Sequence, residues 1–157
     1  MSSIVKKEKD RHGPYVKPYV GPTVMNYTLV GVPQPQSRPR FGLGRVYDCQ
    51  KKYKFGMELQ LKQQHSEETE LLFEGALRMD ITFFMPMVAR TTRKLSEIAH
   101  RPHKVKPDLS NLVKLVEDVG SGIIYKDDAL IAVIFAQKVY STCPRTEFTI
   151  TRLENNG

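Results

Sequence analysis

Leu77-Arg78-Met79-Asp80-Ile81-Thr82-Phe83-Phe84-Met85 sets Leu77, Met79, Ile81, Phe83 and Met85 on one side of an extended chain and Arg78, Asp80, Thr82 and Phe84 on the other. That period of two predicts a half-buried strand, closed by Pro86. The period changes in residues 108–119, where Leu112, Leu115, Val116 and Val119 fall at i, i+3, i+4 and i+7. This is the apolar stripe of a helix facing a core. Asn111, Lys114 and Asp118 lie on its other side, Ser110 and Glu117 at its margins, and Gly120 and Gly122 stop it.

Around these two elements the remaining pattern completes an α+β domain. Residues 24–32 are rich in β-branched and aromatic side chains and end at Pro33, which predicts a first strand. A Pro- and Arg-rich loop follows over 33–41, then a short strand over 45–47. Residues 50–65 carry good helix formers, with Tyr53, Met57 and Leu61 at i, i+4 and i+8 and a basic outer face. A short helix is expected within 92–100, a stiff basic approach over 101–107, and an extended piece over 123–125. Two closing strands are expected near 131–140 and 146–153. The predicted architecture is thus a small mixed sheet packed with two or three helices, occupying residues 24–157. Residues 1–23 mix Lys and Arg with Pro and Gly without an apolar period, and are expected to form a flexible basic tail.

The chain has 157 residues and a formal net charge of +7, which favours polyanions as partners. Residues 33–62 carry seven cations against two carboxylates, and residues 90–106 carry six against one. No apolar run approaches the roughly 18 residues of a membrane helix, and no signal-peptide block opens the chain. A cytoplasmic protein without membrane contact is expected. Cys49 and Cys143, far apart in sequence, fit neither a zinc site nor a disulfide framework. The four histidines show no metal spacing, and His103 reads as a phosphate contact or a bystander rather than a general base.

Inside this basic chain sits an acidic cluster: Asp108, then Glu117 and Asp118, then Asp127 and Asp128. Phosphodiester hydrolysis needs a hard divalent cation held by carboxylates, with a positive side chain to steady developing charge. The helix and the extended piece after it are expected to reverse the chain and bring Asp108 to Asp127 and Asp128, with Lys114 reaching the same phosphate. Each piece also has a plainer role. Asp108 could cap the helix, Asp127-Asp128 could be a solvated turn, and Lys114 could pair with Asp118 or Glu117 along an exposed face.

Lys106-Pro107-Asp108-Leu109-Ser110-Asn111-Leu112-Val113-Lys114, followed by Glu117-Asp118-Val119-Gly120-Ser121-Gly122 and then Asp127-Asp128 before a strand, resembles the signature of the RusA family of Holliday junction resolvases. The element Pro33-Gln34-Pro35-Gln36-Ser37-Arg38-Pro39-Arg40-Phe41 is similar to the early Pro-x-Pro-x-x-Arg-Pro-Arg pattern of that family. The resemblance spans residues 25–152. It implies a homodimer that binds four-way junctions and other branched DNA, and nicks one strand per subunit with Mg²⁺, or Mn²⁺ as a substitute. No small-molecule cofactor is implied. Asp108 matches the first catalytic aspartate, Lys114 the catalytic lysine and Asp128 the essential member of the pair, with Asp127 beside it on the metal. Ser110 departs from the pattern, standing where the family has a second aspartate. Either metal binding is weaker, or Asp127 or Asp118 compensates, or Ser110 contacts the cation through a water. Arg38, Arg40, Arg45, Lys51, Lys52, Lys104 and Lys106 are the expected DNA contacts.

Two other functions compete. A PD-(D/E)xK nuclease would start at Pro107-Asp108, yet no later Asp or Glu is followed at i+2 by Lys. A non-catalytic DNA-binding module could use Tyr47, Tyr53 and Phe55 among the cations as a stacking platform. That reading gives no reason for carboxylates, which repel phosphate, in a basic protein.

Overall fold

A computed structural model describes residues 18–87 and 95–154. Strand β1 (Val24–Val30) leads into a hairpin of β2 (Arg40–Gly42) and β3 (Arg45–Tyr47), then helix α1 (Lys51–Glu68) and strand β4 (Leu77–Pro86). A single turn of helix, α2 (Leu95–Ile98), precedes helix α3 (Leu109–Gly120), a 3-10 turn at Asp128–Leu130, and strands β5 (Ile131–Ser141) and β6 (Arg145–Arg152). The main sheet has the order β1-β6-β4-β5, with β4 and β5 parallel and the other pairs antiparallel. It is the mixed sheet with helices that the α+β reading predicts.

The alternation of β4 holds: Leu77, Met79, Ile81, Phe83 and Met85 are all buried. They meet the stripe of α3, where Leu112, Leu115, Val116 and Val119 are buried together with Val113. Truncating one such leucine to alanine typically costs about 2–5 kcal/mol, so this contact fixes the position of α3. Helix α1 runs three residues past the expected end, because His65 is buried and bonded on both ring nitrogens. Its Nδ1 lies 2.8 Å from the Tyr27 hydroxyl and its Nε2 2.9 Å from the Leu71 carbonyl.

Several expectations change. Residues 123–125 do not extend; they form a turn in which the Gly122 N–H donates to the Tyr125 carbonyl at 2.7 Å. Gly122 has φ +82°, a conformation glycine adopts freely, and Ile124 and Tyr125 fold inward to full burial. Gly120 belongs to α3 rather than ending it, and its role is close approach. A Cβ there would lie 2.6 Å from the Tyr125 hydroxyl, which donates to the Glu117 carbonyl at 2.7 Å. The strand over 45–47 has a partner in β2 that the sequence pattern does not signal. Of the expected tail, residues 18–23 approach the domain, with the Arg152 guanidinium 4.0 Å above the Tyr19 ring. Residues 1–17 and the cations Arg90, Arg93 and Lys94 lie outside the described residues. Cys49 and Cys143 are free and exposed. No described helix is long and apolar enough to cross a membrane.

Gly120→Ala is expected to lower stability by about 2 kcal/mol through overpacking against Tyr125. Thermal melting checks this, and Gly120→Ala combined with Tyr125→Phe should recover part of the loss. An unchanged melt for the single variant would show that the turn has room to give.

Candidate active site

Asp108 occupies the N-cap position of α3, with φ −67° and ψ 136°, but its carboxylate makes no capping bond. Its carbonyl accepts from the Asn111 and Leu112 amides instead, and its Oδ1 accepts from Lys106 Nζ at 2.7 Å. Both side chains are well exposed, so the pair itself adds little stability. The Lys106 ammonium, with Lys138 further off, holds the Asp108 carboxyl below its usual range. It stays an anion that a ligand can reach. Ser110 is exposed two residues on, and Lys114 is exposed further along the helix.

At the other end of α3 the balance is acidic. Asp127 Oδ1 accepts from the Ala129 amide at 2.9 Å, and the Asp128 amide donates to Ser121 Oγ at 3.1 Å. Those two bonds aim the turn at the helix C-terminus. The Ala129 amide, and then the bond shared with Asp128, hold the Asp127 carboxyl low. Asp128 is pushed up, first by sharing that bond with Asp127, then by burial and the charges of Asp127 and Asp118. Burial and then the Asp128 charge push Glu117 up as well, and Lys114 partly opposes this. Four carboxyl groups here crowd one another electrostatically.

Within one chain the structure therefore separates what the sequence reading joins. Asp108 stands at one end of α3, and Asp127 and Asp128 sit beside Ser121 at the other. A helix of 12 residues is about 18 Å long. Among the described residues, no three His, Cys, Asp or Glu side chains gather around one possible ion position.

The expected DNA contacts Arg38, Arg40, Arg45, Lys51, Lys52, Lys104 and Lys106 are all exposed. Gln50 pins the basic loop, its Oε1 accepting from the Ser37 amide at 2.9 Å and its Nε2 donating to the Pro35 carbonyl at 2.7 Å. The Gln36 amide then donates to the Asn111 carbonyl at 2.9 Å, tying the root of that loop to α3. On the β2–β3 hairpin, Phe41, Leu43 and Val46 are 76%, 104% and 69% exposed, next to Arg40 and Arg45 in the chain. These apolar side chains were missed in the sequence because three-residue strands carry no readable period. Lys138 was missed too, although a lysine inside an apolar strand is a visible signal. Its Nζ donates to the Val105 and Pro107 carbonyls, the latter at 2.6 Å, and so fixes the chain just before Asp108. His103 is buried and its Nδ1 has no hydrogen-bond partner among the described residues, so of the two roles expected from sequence, phosphate contact or bystander, burial favours the bystander.

The family model of the endodeoxyribonuclease RusA matches residues 31–151. The chain belongs to that family. This span covers the basic loop, the hairpin, α3 and the acidic turn. An uncharacterized protein of Bacillus subtilis (strain 168), YqaN, is 33% identical to it over 137 residues, covering 80% of this chain and 94% of the relative. Membership in the RusA family implies endodeoxyribonuclease activity.

Burial, and then the Lys138 charge, hold the His103 pKa below its ordinary value of 6.5. The folded chain thus binds fewer protons than the unfolded chain just below pH 6.5, and the associated stability is full above that value and lost as pH falls through the folded pKa. Lys138→Met should raise the His103 pKa without restoring it fully, and should cost about 2 kcal/mol for the lost charged hydrogen bonds. NMR titration of the His103 ring and thermal melting check both parts. An unmoved titration would contradict the electrostatic account.

Proposed function

We propose that the protein is a divalent-cation-dependent endodeoxyribonuclease that resolves four-way DNA junctions by paired, symmetric nicks. It acts as a homodimer in which Asp108 and Lys114 of one subunit work with Asp127 and Asp128 of the partner subunit. The observation that carries this reading is the crowding of Glu117, Asp118, Asp127 and Asp128 at one end of α3, which raises Asp128, in a chain of net charge +7. Crowded carboxylates repel a phosphate backbone and one another, and a divalent cation relieves both repulsions. The donors are hard oxygens, which suit Mg²⁺ with Mn²⁺ as a substitute. When bound, the cation supplies neutralisation of phosphate oxygens and activation of water.

The two-subunit form of the site follows from the length of α3. Acidic groups at opposite ends of a helix about 18 Å long are poorly placed to share one ion within a chain, but a two-fold axis can bring one end of a helix to the opposite end of its partner. In such a site Asp127 and Asp128 would hold the cation with Asp108, and Asp118 and Ser110 are the further candidates. Lys114 offers a point charge to the phosphate undergoing attack. Arg38, Arg40, Arg45, Lys51, Lys52, Lys104 and Lys106 supply salt-sensitive backbone affinity. The exposed Phe41, Leu43 and Val46 beside arginines suit the unstacked base pairs at a branch point better than a continuous duplex.

One observation favours a second reading, a non-catalytic DNA-binding module: no three-donor set forms within the described residues of one chain. Four-way junction, linear duplex and single strand, each incubated with Mg²⁺ or EDTA, separate the two. Paired nicks are expected in the junction alone, and only with metal. Asp128→Asn should keep junction binding and lose cleavage by at least about a hundredfold. Binding without metal-dependent cutting supports the module, and normal cutting by Asp128→Asn removes Asp128 from the site.

A further inference from the structure

The ends of a sheet are where backbone hydrogen bonding is left unfinished, and proteins ordinarily cover or charge them. This sheet has two edge strands, β1 and β5. The outer edge of β1 is closed over Thr28–Val30 by side chains of α1. Gln64 Oε1 accepts from the Thr28 amide at 2.8 Å, and its Nε2 donates to the Thr28 carbonyl at 2.7 Å. Gln60 Oε1 accepts from the Val30 amide at 2.8 Å. The last part of β5 is also closed. The His103 amide donates to the Lys138 carbonyl at 3.0 Å, the His100 amide to the Tyr140 carbonyl at 2.8 Å, and the Tyr140 amide to the Arg101 carbonyl at 3.0 Å.

Residues 131–137 differ. The Ile131 amide donates back to the Asp128 carbonyl of the preceding turn; beyond it, among the described residues, no backbone or side-chain group from outside the sheet bonds to the main chain of residues 132–137. The sequence Ile131-Ala132-Val133-Ile134-Phe135-Ala136-Gln137 carries no charge and no proline, two of the usual devices against edge pairing; a bulge at Ala132 breaks the register with β4 at its start and leaves Val133–Gln137 regular. Ile134 is 40% exposed and Phe135 57% exposed, and as neighbours on a strand they present apolar surface on both faces. The Arg78 guanidinium lies 4.4 Å from the Phe135 ring centre and shields one face only.

The strand is also polarised. Asp127 and Asp128 precede it directly, with Asp118 and Glu117 in electrostatic contact. At its other end stands Lys138, beside the segment that holds Arg101, Lys104 and Lys106. We propose that residues 131–137 form the dimer interface, pairing antiparallel with the same residues of a second copy so that two four-stranded sheets become one. An antiparallel, two-fold arrangement sets the acidic head of each strand against the basic foot of the other, whereas a parallel one sets like against like. Seven residues of strand run about 23 Å, comparable with the length of α3. The pairing therefore carries Asp128 of one copy toward the segment before Asp108 of the other. The inference rests on the proposed two-subunit site and goes further by naming the surface that builds it.

Sedimentation equilibrium of the full chain, of Ile134→Lys and Phe135→Lys, and of Val30→Lys on the opposite sheet edge tests this. The wild type and Val30→Lys should be dimeric. Each β5 variant should dissociate at least about tenfold more readily, because a charge is forced into the pairing, while circular dichroism shows it folded. Hydrogen exchange guards against a variant that fails to fold. Wild-type amides at 131–137 should be protected at dimer concentrations and lose protection on dilution. A monomeric wild type, β5 variants as dimeric as wild type, or protection independent of concentration each overturn the interface. If Phe135→Lys dissociates and the wild-type dimer cuts no junction, the interface stands and the nuclease reading falls. If the wild type cuts and Phe135→Lys remains dimeric, only the interface falls.

Discussion

The packing of α3 on the sheet sets the distances on which the chemistry of this protein depends. Leu112, Val113, Leu115, Val116 and Val119 hold the helix against the core that also contains the inner face of β4. Ser110, Lys114 and Asp118 are thereby turned outward. A helix clamped in this way acts as a rigid spacer. Asp108 and Asp128 cannot drift together by flexing, so the separation of the two acidic positions is as firm as the core itself. On the proposed reading, a cation site that uses both is completed by a second copy of the chain.

The charge pattern follows the same axis. At the start of α3 a carboxylate is surrounded by cations: Lys106 in direct contact, and Lys138 anchoring the preceding carbonyls. At its end carboxyl groups crowd: Asp128 is pushed up first by the bond it shares with Asp127, and Glu117 first by burial and then by the Asp128 charge. Each end is electrostatically incomplete, and the deficits are opposite in sign. Around both lies exposed Arg and Lys on the loop, on the hairpin and at the start of α1, suited to holding a polyanion across the whole face. Such a basic surface draws a polyanion in while the crowded carboxylates repel its phosphates until a cation intervenes, so on the proposed reading binding and cutting are separable.

Much of the fold was legible because its signals are local. The alternation over Leu77–Pro86 and the stripe of α3 each report one element's buried face; every residue expected inside is buried, and Phe84 and Val113, expected outside those faces, are buried as well. The β2 strand was not legible, since Arg40–Gly42 is too short to show a period. The turn after α3 was misread as extended because Ile123, Ile124 and Tyr125 have strand-like side chains, while the left-handed Gly122 and the bond from Tyr125 to Glu117 decide otherwise. For the site, the sequence named the acidic residues but assumed that a reversal of chain direction brings them together. Reversal after a helix returns the chain to the end of that helix, not to its beginning. Lys138 and Ser121, which position Asp108 and Asp128, act through main-chain contacts that spacing along the sequence does not reveal.

The central claim is that one working site draws on two copies of the chain. Mixing Asp108→Asn with Asp128→Asn subunits and assaying the heterodimer on a four-way junction tests it most directly. With sites shared between subunits, each heterodimer keeps one intact combination, so the mixture should nick one strand although each parent is inactive. With sites contained within single chains, every site in the mixture lacks an aspartate. A mixture as inactive as its parents, under conditions where wild-type subunits exchange and cut, would contradict the account.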